Sequence, residues 1–419
     1  MNIKHKLIIV ISGAALAGTL LLTSCSPLGC ATVIARGWPG GTLDNGSLFV
    51  ASMNGKIIAV DPVKNTVIGS PVQISYSASG GLLGCAPSSS AVSFYTTPVV
   101  QDVTVTDTQS ADFPGYQMVY VGGWQNGIIY AYKFENGKWS ADPEYVYPRQ
   151  GSGPDKIVGN LTLANNSIYY ATSDGTVYAL NAADLSKEWS VKIDSKIWSA
   201  PTVDGTTLYI GCFNKNLYAL NAADGSQKWH YQTAGAINST PVVTNNTVFI
   251  GDYDRDFYAI DASSGKLIWK FPAADTASNN IPSNFFWAQP VVVNGVIYAP
   301  NLDGHVYALE TATGKLVKNF SLGYSISSSP VVVGNNIVVA TSVASYAESK
   351  QKVNIYIINT ADNSVSLPIA LPLHEAVNAP LFADGNIVYV HTYKDNLYTI
   401  NTAAPQTQPT LLFDLNTLK

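Results

Sequence analysis

Charge is scarce in this sequence: 12% of its residues are Asp, Glu, Lys or Arg, against 47% hydrophobic. That balance excludes a disordered chain, which combines high net charge with few apolar residues. A chain of 419 residues with this much apolar material can bury a large core. Histidine is limited to five and cysteine to four. Gly-x-Ser-x-Gly, His-Glu-x-x-His, Cys-x-x-Cys and Gly-x-x-x-x-Gly-Lys are missing, which removes the common hydrolase, zinc and nucleotide signatures. No apolar run reaches the roughly 18 to 20 residues of a comfortable membrane span. No Pro- or Ser-rich linker divides the chain either, so one repetitive domain is expected.

What is present begins with a targeting layout. Lys4 and Lys6 precede an apolar run from Leu7 to Leu22. The run meets Leu22-Thr23-Ser24-Cys25, which resembles the bacterial lipobox, with small residues ahead of a cysteine that takes the lipid. This implies a lipoprotein signal peptide at 1–24, lipidation at Cys25 and a lipid-anchored linker at 25–36, which leaves 37–419 as a single domain. The alternative is an ordinary signal peptide cut nearby. The expected location is extracytoplasmic, anchored by lipid on the periplasmic or cell-surface face of a bacterial membrane. Removing residues 1–24 takes two lysines and no acid, leaving 21 basic against 28 acidic side chains, a net −7. Nucleic acid is therefore not an expected partner. With Cys25 assigned to the lipid, Cys30 and Cys85 sit in irregular Gly/Ser/Pro-rich stretches and are candidates for a disulfide. Cys212 follows a strand-like segment. The alternative leaves all three as free thiols.

One phrase returns along the chain: Val177-Tyr178-Ala179-Leu180-Asn181, Leu217-Tyr218-Ala219-Leu220-Asn221, Phe257-Tyr258-Ala259-Ile260-Asp261 and Val306-Tyr307-Ala308-Leu309-Glu310. Looser copies lie at Ala59, Ala131, Ile357 and Thr399, making eight. The step from Ala179 to Ala219 and on to Ala259 is 40 residues, the length of a propeller blade of four short strands. Each unit reads as a Pro-led strand, a two-residue turn, an alternating strand, the Tyr-Ala-Leu strand and a last strand ending near tryptophan. The fold expected is an all-β, eight-bladed β-propeller of four-stranded antiparallel blades, with seven blades as the alternative. It is expected to be monomeric. Insertions are expected within 77–96, 104–116, 272–286 and 342–352, and Leu411–Leu415 is expected to supply the missing strand of the first blade and close the ring.

The units resemble the PQQ-type propeller repeat, whose hallmark is Ala-x-Asp/Asn-x-x-x-Gly-x-x-x-Trp. It stands here as Ala219, Asn221, Gly225 and Trp229, and as Ala259, Asp261, Gly265 and Trp269. A third copy keeps Ala179, Asn181 and Trp189 but carries Leu185 for glycine, and a fourth ends in Lys318. The resemblance implies that Trp189, Trp229 and Trp269 dock between neighbouring blades. The glycine permits positive φ, and the short polar side chain can bond the turn backbone.

Two branches share this repeat: quinoprotein dehydrogenases, which bind PQQ and calcium, and non-catalytic BamB-like barrel-assembly lipoproteins of the cell envelope. The first branch places an adjacent cysteine pair against the quinone, and no Cys-Cys step exists here; nor does Cys-x-x-Cys-His. The resemblance therefore implies a non-enzymatic protein-binding scaffold without cofactor or metal, whose partners are other envelope proteins. Two other readings stay open: a PQQ-dependent oxidoreductase with a degenerate site, and a carbohydrate-binding surface protein, for which Trp198 and Trp287 would be exposed together.

Local motifs leave two further candidates. Asp252-Tyr253-Asp254-Arg255-Asp256 has the alternating carboxylates that open a calcium loop, but the glycine and glutamate such a loop needs are missing. It aligns with polar turns at Asp174, Asn214, Asp303 and Asp395. His230, His305, His374 and His391 read as surface or turn residues. The side chains just ahead of the Pro-led strands, Tyr95, Trp198, Asn238, Trp287, Gln289 and Asn378, are expected to converge at one mouth of the central channel. There they either bind a ligand or plug the channel.

Overall fold

Asn-Gly and Asn-Asn pairs set the architecture at its smallest scale. Asn45 and Gly46, Asn165 and Asn166, Asn245 and Asn246, and Asn294 and Gly295 all hold positive φ. Two such residues in succession match the twist of a two-residue antiparallel hairpin. In the computed structural model, which describes residues 25–26, 29–30, 38–77, 89–104, 115–149, 153, 155–273, 277–342, 353–372, 375–405 and 408–418, these turns join the first two strands of a blade.

The strands build eight antiparallel sheets around one axis. The innermost strands are Gly41–Asp44, Val99–Val103, Thr162–Ala164, Thr202–Asp204, Val242–Thr244, Val291–Val293, Val331–Val333 and Phe382–Asp384, for blades 1 to 8 in chain order. Successive inner strands touch at seven of the eight joints around the ring, including the last against the first. Blade 4 continues with Thr207–Gly211 and Asn216–Asn221 and ends with Gln227–Gln232 outside. In blade 2 the outer position is shared by Lys138–Trp139 and Tyr145–Tyr147. A small extra hairpin, Ser75–Ser77 with Ser89–Ala91, precedes that blade.

The core lies between the sheets. Eight apolar clusters each draw on two adjacent blades, from Phe49 with Val121 across blades 1 and 2 to Leu48 with Tyr389 across blades 1 and 8. This is why the second and third strands are nearly continuously apolar while outer strands alternate: both faces of the middle strands are covered.

Conserving this stacking is the job of the repeat hallmark's geometry. Trp189, Trp229 and Trp269 pair with Ala179, Ala219 and Ala259 on the third strands. Their indole N–H groups donate across to Ala222 O (2.9 Å), Ala262 O (3.0 Å) and Thr311 O (2.9 Å) of the following blades. Gly225, Gly265 and Gly314 sit beneath the three indoles at φ near +70°, where a β-carbon would come within 2.7 Å of the ring. Leu185 takes the same left-handed conformation at φ 54° and fills its own site. Lys318 occupies the tryptophan position opposite Ala308, so no indole reaches out from blade 6 there.

Two expectations are corrected. Thr410–Asp414 pairs with Asn396–Asn401 as the outer strand of blade 8, so blade 1 is completed by its own Thr66–Gln73 and no strand is exchanged. Closure comes from side chains. His391, fully buried, donates through Nδ1 to Pro39 O (2.7 Å) and meets Asp395 through Nε2 (2.9 Å), and Asp395 accepts the Met53 N–H (2.9 Å). His391 is thus no surface residue. The expected signal segment 1–24, Cys85, His374 and most of the insertions at 104–116 and 342–352 lie outside the described residues. Near the N-terminus, Cys25 and Cys30 are backbone register partners in a two-residue strand pair; the expected Cys30–Cys85 bridge lies outside the described residues. Cys212 is a buried free thiol, its ionisation suppressed by desolvation.

Candidate functional site

A serine or threonine three residues ahead of several inner strands creates the site. Ser199 and Ser239 are buried, donate to Gly211 O (2.8 Å) and Gly251 O (3.0 Å), and accept the N–H of the same glycines. Thr96 clamps Gly122 in the same way, accepting its N–H at 3.0 Å. With that residue tied to the blade's second strand, its two neighbours are turned to the axis.

They form two rings around one cavity of about 80 Å³ at the channel mouth. Four residues ahead of the inner strands stand Tyr95, Trp198, Asn238, Trp287, Ser327 and Asn378; two ahead stand Asn160, Thr240, Gln289 and Ser329. All six side chains singled out in the sequence line this cavity. Trp38, Asn160, Thr240, Ser327 and Ser329 also line it. The signal for the last four was the same offset from the strand starts, while Trp38 stands three ahead of its strand; Ser327 was hidden because serine looks generic.

Among the described residues the lining holds no charged side chain. Tyr95 is 5% exposed and meets Trp38 edge-on with ring centres 4.5 Å apart. Trp198 and Trp287 are both half-buried. Ser327 donates to Asn378 Oδ1 (2.9 Å), Ser329 accepts the Gln289 N–H (3.1 Å), and Asn160 Oδ1 accepts the Thr97 N–H (2.9 Å). Asn238 is 8% exposed, and its Oδ1 is buried with no hydrogen-bond partner.

Outward from the cavity the aromatics continue over blades 4 to 6. Trp198 packs on Phe213 (4.9 Å), Phe213 on Tyr253 (5.8 Å), and Tyr253 stacks on Phe285 (4.8 Å) and Trp287 (6.1 Å). Of the apolar pair in the 272–286 insertion, Phe285 joins this crescent and Phe286 is buried beneath it.

In the Asp252–Asp256 turn two of the three carboxylates, Asp252 and Asp256, are already engaged. Asp252 is fully buried and accepts N–H groups of Asp254 (2.9 Å), Asp256 (3.0 Å) and Gly235 (2.8 Å), plus the Tyr258 hydroxyl (3.2 Å). Desolvation raises its pKa despite these donors. Asp256 takes Lys270 Nζ at 3.0 Å. Among the described residues no group of three or more His, Cys, Asp or Glu gathers as a metal site. A PQQ-type quinone carries several carboxylates, and the uncharged mouth offers them no counter-charge, so the residues present do not fit that cofactor.

Fold and repeat together define a PQQ-type eight-bladed propeller with an uncharged axial mouth. The chain belongs to the family described as outer membrane protein assembly factor BamB, whose model matches residues 125–299 and 232–408. Among solved structures, the computationally designed Ika8 protein is 12% identical with a TM-score of 0.62, over 87% of this chain and 96% of that one. BamB from Moraxella catarrhalis is 16% identical with a TM-score of 0.46, over 72% and 99%. The WD40 β-propeller domain of Doa1 is 13% identical with a TM-score of 0.49, over 67% and 88%. At its identity the likeness to Ika8 speaks of fold alone. No curated protein matches the chain.

Proposed function

We propose that this protein is a non-enzymatic, lipid-anchored scaffold of the bacterial cell envelope that holds another envelope protein on its mouth face. Membership of a family named for outer membrane protein assembly supports the setting, and the lipobox-like Leu22–Cys25 supports the anchor. The observation that carries the reading is the continuous aromatic crescent of Trp198, Phe213, Tyr253 and Trp287 on one face. Rigid, half-buried aromatic rings are what protein interfaces concentrate their binding energy on. A preformed ring of blades spends little entropy in presenting them.

The test is affinity capture of the full chain from its native envelope in mild detergent, with bound proteins and small molecules identified by mass spectrometry. Envelope proteins without a quinone are the expected recovery. Phe213→Ala and Tyr253→Ala should each weaken the captured complex about tenfold or more. A stoichiometric quinone, or capture that both variants leave unchanged, would overturn the reading.

A further inference from the structure

The cavity inside the crescent has a chemistry of its own. Its walls are aromatic on opposing sides of the ring: Tyr95 precedes blade 2 and Trp287 precedes blade 6, four blades apart in a circle of eight. Between them stand amides, of which Asn238 keeps a buried, unpartnered Oδ1. Leaving a buried acceptor unpaired is unfavourable, and a ligand hydroxyl or N–H arriving there removes that penalty.

The lining constrains the ligand from three sides. No charged side chain is present, so a phosphate, carboxylate or ammonium would lose its hydration without compensation. A purely apolar ligand would leave Asn238 unsatisfied. At about 80 Å³ the space equals several water sites by the same measure, room for one small ring at most.

We infer that the mouth cavity is a binding site for one uncharged sugar ring of the pyranose type. A pyranose presents its two C–H faces to the half-buried rings of Trp198 and Trp287 and a rim of hydroxyls to the amides. One hydroxyl donates to Asn238 Oδ1 once its buried amide has turned toward the cavity. The site does not depend on the scaffold reading, since Phe213 and Tyr253 lie outside the cavity lining.

The experiment is titration of the full chain in mild detergent with glucose, N-acetylglucosamine and maltose, followed by tryptophan fluorescence. Glucuronate and a capped Gly-Ser-Gly peptide run alongside. Saturable binding of at least one neutral sugar is expected, with glucuronate about tenfold weaker. Asn238→Ala should weaken binding at least about fivefold. Trp287→Ala should abolish it and Trp287→Phe restore most of it, with circular dichroism confirming that each variant is folded. The inference fails if no neutral sugar saturates the folded protein, if Asn238→Ala binds as wild type, or if the peptide binds where the sugars do not.

Discussion

At the scale of single residues, the blade-to-blade joint rests on a glycine under an indole. Gly265 has φ +68°, and a β-carbon there would sit 2.7 Å from Trp229 Cδ2. Gly265→Ala therefore combines backbone strain with a clash and should lower stability by about 1–3 kcal/mol in urea unfolding. Trp229→Phe keeps the ring but loses the bond to Ala262 O, a loss of about 1 kcal/mol. The hallmark's polar residue and the turn after it set the acid response. Asp261 and Asp61 at the hallmark position are held below the usual carboxylate range first by the Ser264 hydroxyl and by Lys64, and Asp184, Asp224 and Asp362, three residues past that position, first by Ser186, Ser226 and Ser364. A depressed folded pKa means stability that is present above the unfolded value, near 4, and lost as pH falls through the folded one. Asp252 has the opposite sign: its raised pKa disfavours the folded state at neutral pH, and that penalty fades on acidification. Thermal midpoints should fall below about pH 4. The fall should be shallower in Asp261→Asn; an identical slope would remove Asp261 from the account.

At the scale of elements, the inner strand and the segment ahead of it are one device. Ser239 both donates to and accepts from Gly251, which ties the segment to the second strand and leaves Asn238 and Thr240 on the axis. Ser239→Ala leaves both backbone groups of a buried glycine short of a partner and should lower stability by about 1–3 kcal/mol in urea unfolding. Hydrogen exchange should quicken at Gly251 more than at Gly211, whose clamp is Ser199. The period of these segments, with proline ahead of the strand, was legible in the sequence and marked the positions that meet at the mouth. Their arrangement as two rings was not, because the offset between Trp287 and Gln289 has meaning only once the serine clamp fixes which residues face inward.

At the scale of the whole molecule, the ring closes without sharing a strand between its ends. Asp395 and His391 of blade 8 grip Met53 and Pro39, while Lys56 Nζ reaches the Asn416 carbonyl at 3.2 Å. The joint is buried, so Asp395→Ala leaves His391 and the Met53 N–H without their partner and should destabilise the protein by about 3 kcal/mol. Hydrogen exchange should rise in blades 1 and 8 while blade 4 stays protected; uniform loss around the ring would show that closure is not local.

By itself the sequence determined the repeat, the four-stranded blade and the family hallmark, and pointed to eight blades with seven as the alternative. Each is written in short-range pattern: period-2 alternation, Asn-rich turns and a 40-residue step. Only the tertiary structure decided how the ends meet, where Trp198, Asn238 and Trp287 stand relative to one another, and that His391 is buried. Those depend on contacts between segments hundreds of residues apart, such as Met53 with Asp395, and no local pattern encodes a distance across a closed ring.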